Sequence, residues 1–227
     1  MGRFLALALV LAASPAFALD PCGPGHMRSE VRGGVLNLHW VGRIERQIST
    51  DLSAEFDKHR RSVEAVDLSL TSCGGNSHHM QLAIIVLEGI KATHRLTTLV
   101  DRGAVCGSAC VPVFLTGKRR VGALSSVWFF HPAHQPKPSG AKGARVLLPE
   151  FTEELLRRYF IPAGVSDDWI EYMRRTFRTG DLWQTGRDLW EMKSGILTET
   201  LDNVAPREDG PIDLPSPTLA CGLVCRG

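Results

Sequence analysis

Ser108 has the clearest chemical setting in the sequence. It lies in the small-residue run Gly107-Ser108-Ala109, shortly before Pro112. A helix accepts proline only in its first turn, so a helix over 109–117 must begin at about Gly107 to Ala109, with Ser108 at its amino end. A serine becomes a nucleophile when a base takes its proton and N–H groups receive the oxyanion. Serines at helix starts more often act as caps, and the residues alone leave that alternative open.

Two places in the sequence could supply the oxyanion donors. The backbone N–H of Ala109 follows Ser108 directly. A second donor must come from elsewhere in the chain, and Gly74-Gly75 follows the end of a predicted strand. Glycine lets backbone N–H groups approach a substrate closely. We therefore expect this glycine pair to face the serine turn.

Strands and helices alternate along the chain, which favours an α/β fold with helices packed against a sheet. Residues 202–227 are rich in proline and aspartate and predict a loosely structured tail. Strands are predicted at 35–40, 63–70, 96–100, around Val121 and at Val127–Phe130, helices at 49–61, Ser77–Lys91, 149–160, 166–176 and 188–193, and an exposed loop at 134–143.

Residues 1–18 resemble a secretory signal peptide. Arg3 carries a positive charge, an apolar run follows, and Ala16-Phe17-Ala18 offers the small residues that a signal peptidase requires. The apolar run is short for a membrane span, and no later segment reaches about 18 apolar residues. An uncleaved anchor is the alternative. We expect a periplasmic or secreted protein with a single domain over 19–200, a tail over 201–227 and no integral membrane segment after cleavage.

Composition argues against several function classes. The formal net charge is +2 and no basic block is present, so nothing indicates nucleic-acid binding. The adjacent His78 and His79 have no acidic partner at ligand spacing. We therefore predict no metal and no cofactor.

The six cysteines all follow the predicted cleavage site. An even number in an oxidising compartment favours disulfides. Cys22 lies near the new amino terminus, whereas Cys221 and Cys225 lie near the carboxyl terminus. Because chain termini are often close together, a bond between Cys22 and one of the two C-terminal cysteines is expected.

Three stretches in order resemble the proteolytic subunit of Clp protease, of the ClpP/crotonase superfamily. They are Leu70-Thr71-Ser72-Cys73-Gly74-Gly75, the segment 103–117 around Ser108, and Val127-Trp128-Phe129-Phe130-His131-Pro132. The resemblance covers about 35–197 and implies a spiral of repeated strand-strand-helix units. It also implies Ser108 as nucleophile, His131 as base, and Gly74 and Ala109 as oxyanion donors. His134 is a rival base, but it begins a proline-rich loop.

The cysteines near Ser108 depart from the family pattern. Cys73 stands where the family has proline, and Cys106 and Cys110 flank the serine. By the resemblance, Cys73 lies beside the serine turn. A Cys73–Cys106 or Cys73–Cys110 bond is then expected to fix the oxyanion donors, with a local Cys106–Cys110 bond as the alternative.

The acid of a Ser-His-Asp triad is the hardest residue to place. In the family it precedes a short helix that ends in Gly-Leu or Gly-Ile. Asp181, ahead of Gly195-Ile196, fits this position best, and Asp188 is the second choice. Asp167 and Asp168 are interpreted as helix-capping residues.

The resemblance implies a serine hydrolase that cleaves peptide bonds through an acyl-enzyme. We expect a peptide or unfolded-protein substrate and a chain acting alone or as a small homo-oligomer. No ATP-dependent unfoldase is expected, because ATP is absent outside the cytoplasm. The alternatives are a catalytically silent binding module and a crotonase-type thioester enzyme. Ser108 and the predicted export both disfavour the thioester enzyme.

Overall fold

The computed structural model describes residues 20–136 and 145–203. The predicted signal peptide, residues 204–227 of the predicted tail, and Cys221 and Cys225 lie outside these ranges. The described elements are β1 His26–Arg32, β2 Val35–Val41, α1 Arg46–His59, β3 Ala65–Thr71, α2 Ser77–Lys91, β4 Arg95–Val100, β5 Val105–Gly107, α3 Cys110–Leu115, β6 Arg119–Gly122, β7 Val127–Phe130, β8 His134–Pro136, β9 Arg145–Leu147, α4 Pro149–Leu155 with a π-helical turn Leu156–Phe160, α5 Asp167–Thr176, β10 Leu182–Thr185, α6 Gly186–Glu191 and β11 Glu199–Thr200.

Most strands form one six-stranded sheet in the order β1-β2-β3-β4-β6-β11. All neighbours in it run parallel except β1 and β2, which form an antiparallel hairpin. Helices α1 and α2 contribute buried apolar residues such as Ile48, Leu52 and Leu87 to the core. The mixed sheet with packed helices confirms the predicted α/β fold.

A second sheet of three strands, in the order β10-β7-β5, lies beside the end of β3. A single parallel bridge between Ser72 and Cys106 joins the two sheets. In this bridge the Ser72 N–H donates to the Val105 carbonyl, and the Ser72 carbonyl accepts from the Gly107 N–H. The end of β3 is therefore fixed next to the strand that leads into Ser108.

Several predicted bounds need correction. Helix α1 begins at Arg46 rather than near residue 49, because Ile48 is fully buried and its packing extends the helix. The predicted helix over 149–160 changes from α to π geometry at Leu156. The predicted loop at 134–143 begins with strand β8, which pairs with β9. Among the described residues, no helix is long and apolar enough to cross a membrane.

The disulfide pairing differs from two of the expectations. Cys22 bonds to Cys73, and Cys106 bonds to Cys110. The predicted bond between Cys22 and the C-terminal cysteines is wrong, because the segment after residue 20 lies against the glycine loop, where the Cys73 N–H donates to the Pro21 carbonyl at 3.0 Å. The predicted bonds from Cys73 to Cys106 or Cys110 are wrong for the same reason. The local Cys106–Cys110 alternative is confirmed.

Candidate active site

Ser108 occupies a tight turn between β5 and α3. Its φ is 51°, in the left-handed region that residues other than glycine rarely adopt. Its backbone N–H donates to the Phe129 carbonyl at 2.8 Å, and the Cys106–Cys110 bond spans the turn from both sides. Backbone strain of this kind persists only where the surrounding structure holds it. The strand-turn-helix geometry presents the Ser108 hydroxyl at the surface of a pocket.

His131 directly follows β7, which pairs with β5. Its Nε2 lies 2.7 Å from Ser108 Oγ, and its Nδ1 lies 2.8 Å from the Pro132 carbonyl oxygen. A carbonyl oxygen can only accept, so Nδ1 carries the hydrogen. In the neutral ring Nε2 is then the acceptor for the serine hydroxyl. This is the tautomer that a general base for Ser108 needs.

The surroundings of His131 favour its neutral form. Burial lowers the pKa of His131, and the charges of His134 and Arg145 lower it further. The hydrogen bond to Pro132 and the charge of Asp181 act in the opposite direction. The net direction of the pKa is downward, so the imidazole stays unprotonated, and able to accept a proton, to a lower pH than an exposed histidine.

Gly74 packs directly against the nucleophile turn. Its φ is +107°, and a Cβ built on it would lie 2.5 Å from the Cβ of Ser108 and 2.8 Å from the Gly107 carbonyl oxygen. Only glycine fits this backbone conformation and this space. The predicted approach of the glycine pair to Ser108 is therefore present in the structure.

The structure distinguishes the two glycines as N–H donors. The Gly74 N–H donates to Ser72 Oγ at 3.1 Å and is thereby engaged. The Gly74 carbonyl accepts from the Ile44 N–H at 2.8 Å. Because the two ends of a trans peptide point in opposite directions, the Gly75 N–H points away from Ile44, and Gly75 lines the pocket with Ser108. Gly75 is thus a better oxyanion candidate than the predicted Gly74.

The Ala109 N–H fits the predicted second donor. No hydrogen bond engages it within the part of the chain that the structure describes. It follows the left-handed turn at Ser108, and the residue lines the same pocket. Among the residues that the structure describes, no hydrogen bond engages the N–H of Gly75 or of Ala109, and both residues line the pocket with Ser108. Such amides can receive a developing oxyanion.

The structure separates the two candidate acids, Asp181 and Asp188, and places the two predicted helix-capping aspartates. Asp181 immediately precedes β10, and the β10–β7 register, which pairs Leu182 with Phe130, places Asp181 opposite His131. Asp181 is exposed and acts on the imidazole through its charge, whereas the Pro132 carbonyl occupies Nδ1. Asp188 forms a capping box with Thr185 at the start of α6. Asp167 and Asp168 occupy the first turn of α5, after the capping Ser166.

A pocket of about 400 Å³ opens beside Ser108. Ser108, His131 and the glycine loop line this pocket, and Leu156 and Phe160 of the π-helical turn also line it. π-Helical turns are often found at functional sites. The volume falls within the range of small-ligand pockets. The apolar lining includes Met80, Val111, Phe151, Leu155, Phe160, Met173 and Phe177.

The remaining histidines contribute less to the site. His134 is near His131, with ring centroids 4.8 Å apart, but the hydrogen bond to Ser108 belongs to His131. His78 and His79 donate their backbone N–H groups to the Asn76 side chain, which caps α2. Over residues 20–136 and 145–203, no three His, Cys, Asp or Glu residues are grouped as metal ligands.

Sequence reasoning missed two parts of the site. The Pro132 carbonyl, which orients His131, belongs to the backbone, and no side-chain pattern reveals it. The sequence indicates only that Phe129 belongs to a strand, whereas in the structure its carbonyl accepts the Ser108 N–H. Its register partner in β5 is Gly107, a glycine next to a candidate nucleophile. That glycine is the signal that could have indicated a close strand neighbour.

No family model matches the sequence of this chain, and no curated protein matches it.

Comparison of structures does find similar proteins. The chain is similar to the membrane-bound stomatin-specific protease 1510-N, with a TM-score of 0.55, 13% identity and coverage of 74% of this chain and 78% of that one. It is also similar to a ClpP1 mutant from Listeria monocytogenes, with a TM-score of 0.51, 16% identity and coverage of 77% and 92%. A third similar structure is an enoyl-CoA hydratase from Bacillus halodurans, with a TM-score of 0.54, 10% identity and coverage of 80% and 74%. At these identities the likeness concerns the fold. The chain has the ClpP/crotonase fold, in agreement with the resemblance of its sequence motifs.

Proposed function

We propose that the protein is a serine hydrolase, with Ser108 as its nucleophile and His131 as its general base. The observation that carries this proposal is the 2.7 Å contact between Ser108 Oγ and His131 Nε2. Residues 23 positions apart meet in a pocket, with the imidazole in the tautomer that accepts the serine proton. If Ser108 acted only as a helix cap, it would not need an imidazole within hydrogen-bond distance of its hydroxyl.

The proposed reaction begins with attack of Ser108 Oγ on the carbonyl carbon of the substrate. The hydroxyl proton passes to His131 Nε2, and the electron pair of the C=O bond moves onto the oxygen. The amides of Gly75 and Ala109 would receive this oxyanion. The oxyanion then re-forms the C=O bond, the bond to the leaving group breaks, the imidazolium protonates the leaving group, and an acyl-enzyme remains. Water gives a proton to the same imidazole and attacks the acyl carbon. The bond from this carbon to Ser108 Oγ then breaks, the imidazolium returns the proton to Oγ, and the carboxylic acid product is released.

The pocket supports a substrate with a bulky apolar group. Much of its lining is apolar, with Val111, Phe151 and Phe177 among the contributing residues. Burying a large apolar side chain stabilises a complex by about 1.5–3 kcal/mol. Two of the similar structures are proteases by name or by type. We therefore propose peptides or unfolded proteins with large apolar residues as the substrate class.

A fluorophosphonate probe tests the nucleophile directly. The wild-type protein should be labelled, with the adduct on Ser108 in a digested peptide map. Ser108→Ala should abolish labelling, and His131→Gln should slow it by a factor of about 10² or more. Ser77→Ala is the matched control, because Ser77 lines the same pocket at the start of α2, and its labelling should match that of the wild type. An unlabelled, folded wild type would overturn the proposal and leave a silent binding module.

We also propose that the protein works outside the cytoplasm. Two disulfides within the described ranges suit an oxidising compartment, and residues 1–18 have the composition of a signal peptide. In such a compartment it would act without an ATP-dependent unfoldase, alone or as a homo-oligomer. Mass spectrometry of the protein from a fractionated cell should give a chain that begins at Leu19. An intact amino terminus in the cytoplasmic fraction would contradict export.

A further inference from the structure

Phe129 connects the candidate nucleophile and the candidate base. Its carbonyl oxygen accepts the Ser108 N–H at 2.8 Å. Its ring lies beside the His131 ring, with centroids 5.1 Å apart and planes 36° apart. Space for this ring depends on Gly107, because a Cβ there would lie 3.1 Å from Phe129 Cβ and 3.3 Å from Cδ1. One residue therefore contacts both members of the catalytic pair.

Trp183 supports Phe129 from the neighbouring strand. The two residues are register partners in the β10–β7 pair. Their rings are stacked, with centroids 4.3 Å apart and planes 29° apart. Three aromatic rings thus follow one another in the order Trp183, Phe129, His131. Phe129 and Trp183 are both partly buried.

His131 gains a positive charge when it takes the serine proton, and its direct hydrogen-bond partner carries no charge. The Nδ1 hydrogen bond goes to the neutral Pro132 carbonyl at 2.8 Å. That bond fixes the tautomer and the ring plane. A carboxylate in the same position would also stabilise the imidazolium. Part of that stabilisation must come from other groups around the ring.

We propose that the Trp183–Phe129 stack is the positioning element of His131, and that its π face stabilises the imidazolium formed during attack by Ser108. A cation within about 6 Å of an aromatic centroid is attracted by the negative face of the ring. The Phe129 and His131 ring centroids are 5.1 Å apart, which is within this distance, and the two rings are tilted by 36°. Trp183 keeps Phe129 in this orientation. The inference rests on the proposed hydrolase function and names two residues that serve it.

Other charged or titratable groups also face His131. Asp181 stabilises the imidazolium by its charge, and His134 and Arg145 destabilise it. The aromatic stack acts together with these groups, so its effect must be measured with them unchanged. Variants of Trp183 and Phe129 meet this condition because they change no formal charge.

The test compares Trp183→Leu and Trp183→Phe with the wild type. The leucine variant should lower kcat/KM and the fluorophosphonate labelling rate by about three- to thirty-fold, mainly through kcat. The phenylalanine variant keeps an aromatic ring against Phe129 and should recover most of the rate. Phe56→Leu is the matched control, because Phe56 contacts His94 edge to face at 4.9 Å. That variant should leave the rate unchanged.

The pKa of His131, measured by NMR, distinguishes a positioning role of the aromatic stack from a general loosening of the packing around His131. Loss of the π face disfavours the imidazolium, so the pKa of His131 should fall further in Trp183→Leu and recover in Trp183→Phe. Looser packing would instead admit water, relieve the burial that lowers this pKa, and raise it. A rise, or no change in either rate or pKa, would overturn the inference. Wild-type labelling at Ser108 would still support the hydrolase, so the two proposals fail separately.

Discussion

The pH response of the site belongs to a single residue, His131. Its pKa lies below the ordinary value because the ring is buried. The active form of a general base is the neutral form. Activity should therefore be present above the pKa of His131 and be lost as the pH falls through it. The acid limb of kcat/KM should lie at a lower pH than an exposed histidine would give.

The variant Asp181→Asn tests how the carboxylate of Asp181 acts on His131. The charge of Asp181 raises the pKa of His131, so its removal should move the acid limb to lower pH. Since Nδ1 already donates to Pro132, kcat/KM at neutral pH should fall by less than about ten-fold, compared with about 10⁴ for loss of a triad carboxylate. A pH profile of kcat/KM measures both quantities.

Two companion variants complete that experiment. His134→Gln removes a group whose charge lowers the pKa of His131, so its acid limb should move to higher pH. Asp188→Asn removes the carboxylate of the α6 capping box and should lower stability by about 1 kcal/mol without moving the limb. A loss of about 10³-fold or more in Asp181→Asn would show that the carboxylate takes over Nδ1 during the reaction.

Gly74→Ala should disable the site with a modest effect on the fold. The new Cβ would meet Ser108 Cβ at 2.5 Å, and φ is +107°, so the strain should cost about 1–3 kcal/mol. Labelling of Ser108 should fall by about 10² or more as the serine turn moves. Gly89→Ala, in open space on α2, should instead gain about 0.5–1 kcal/mol. Equal labelling in the two variants would contradict the role of the glycine loop.

At the scale of elements, the site depends on two short strands, β5 and β7, and on the loops that follow β3 and β5. A disulfide holds each loop. Cys22–Cys73 anchors the glycine loop to the amino-terminal segment, and Cys106–Cys110 spans the serine turn. The first bond closes a long loop and the second a short one. Stability and activity should therefore respond differently to their removal.

Replacing each cysteine pair by alanine should show this difference. Chain entropy predicts a loss of about 4 kcal/mol for Cys22–Cys73, with a sequence separation of 51. For Cys106–Cys110, with a separation of 4, it predicts about 2 kcal/mol. Labelling of the folded protein should fall more in the Cys106 and Cys110 variant, because that bond spans Ser108. Denaturant unfolding ranks the two variants by loss of stability, and labelling rates rank them by loss of Ser108 reactivity. If the same variant showed the larger loss in both measurements, the separate roles of the two disulfides would be contradicted.

The elements also show what the sequence can predict. Helix α2 was predicted at its observed bounds, because its apolar residues recur at helical spacing and α2 packs as expected. Strand β1 was missed because nearly all of its residues are exposed and show no alternation, although Gly33-Gly34 is a hairpin signal. Strand β10 has only four residues and is defined by its pairing with β7. Pairing partners are tertiary facts that a local pattern does not contain.

The same limit applies to the site. Ser108, His131 and the approach of Gly74 to the serine follow from motifs and resemblance. The choice between the Gly74 and Gly75 amides does not, because it depends on the Ser72 hydroxyl and on Ile44, which hold the loop. The Pro132 carbonyl is equally invisible in a sequence.

For the whole molecule, Arg120 ties the carboxyl end of the described chain to the large sheet. Its guanidinium is buried and donates to the carbonyls of Ile196 and Gly195 at 2.9 and 2.8 Å. Burial lowers the pKa of Arg120, but a guanidinium remains charged. The neighbouring Arg119 instead forms an exposed bidentate pair with Glu199. The two arginines allow a matched comparison of buried and exposed contacts.

Arg120→Met should destabilise the protein by about 2 kcal/mol, because the carbonyls of Ile196, Gly195 and Gly117 each lose a donor. Arg119→Gln should cost less than about 1 kcal/mol, as exposed ion pairs usually do. Ser108 labelling per folded molecule should be unchanged in both variants, because neither residue lines the pocket. Thermal unfolding with parallel labelling measures these effects. A larger loss of stability in Arg119→Gln than in Arg120→Met would show that the exposed ion pair contributes more to stability than the buried hydrogen bonds.

The order of the cysteines along the chain has a consequence for biogenesis. Cys22 pairs with the next cysteine, Cys73, and Cys106 pairs with the next, Cys110. If the chain emerges from a translocon with its amino end first, an oxidase that joins thiols in order of appearance makes both bonds correctly at the first attempt. Maturation in a strain without disulfide isomerase should then proceed normally. Loss of the oxidase should leave the serine turn without its Cys106–Cys110 bond.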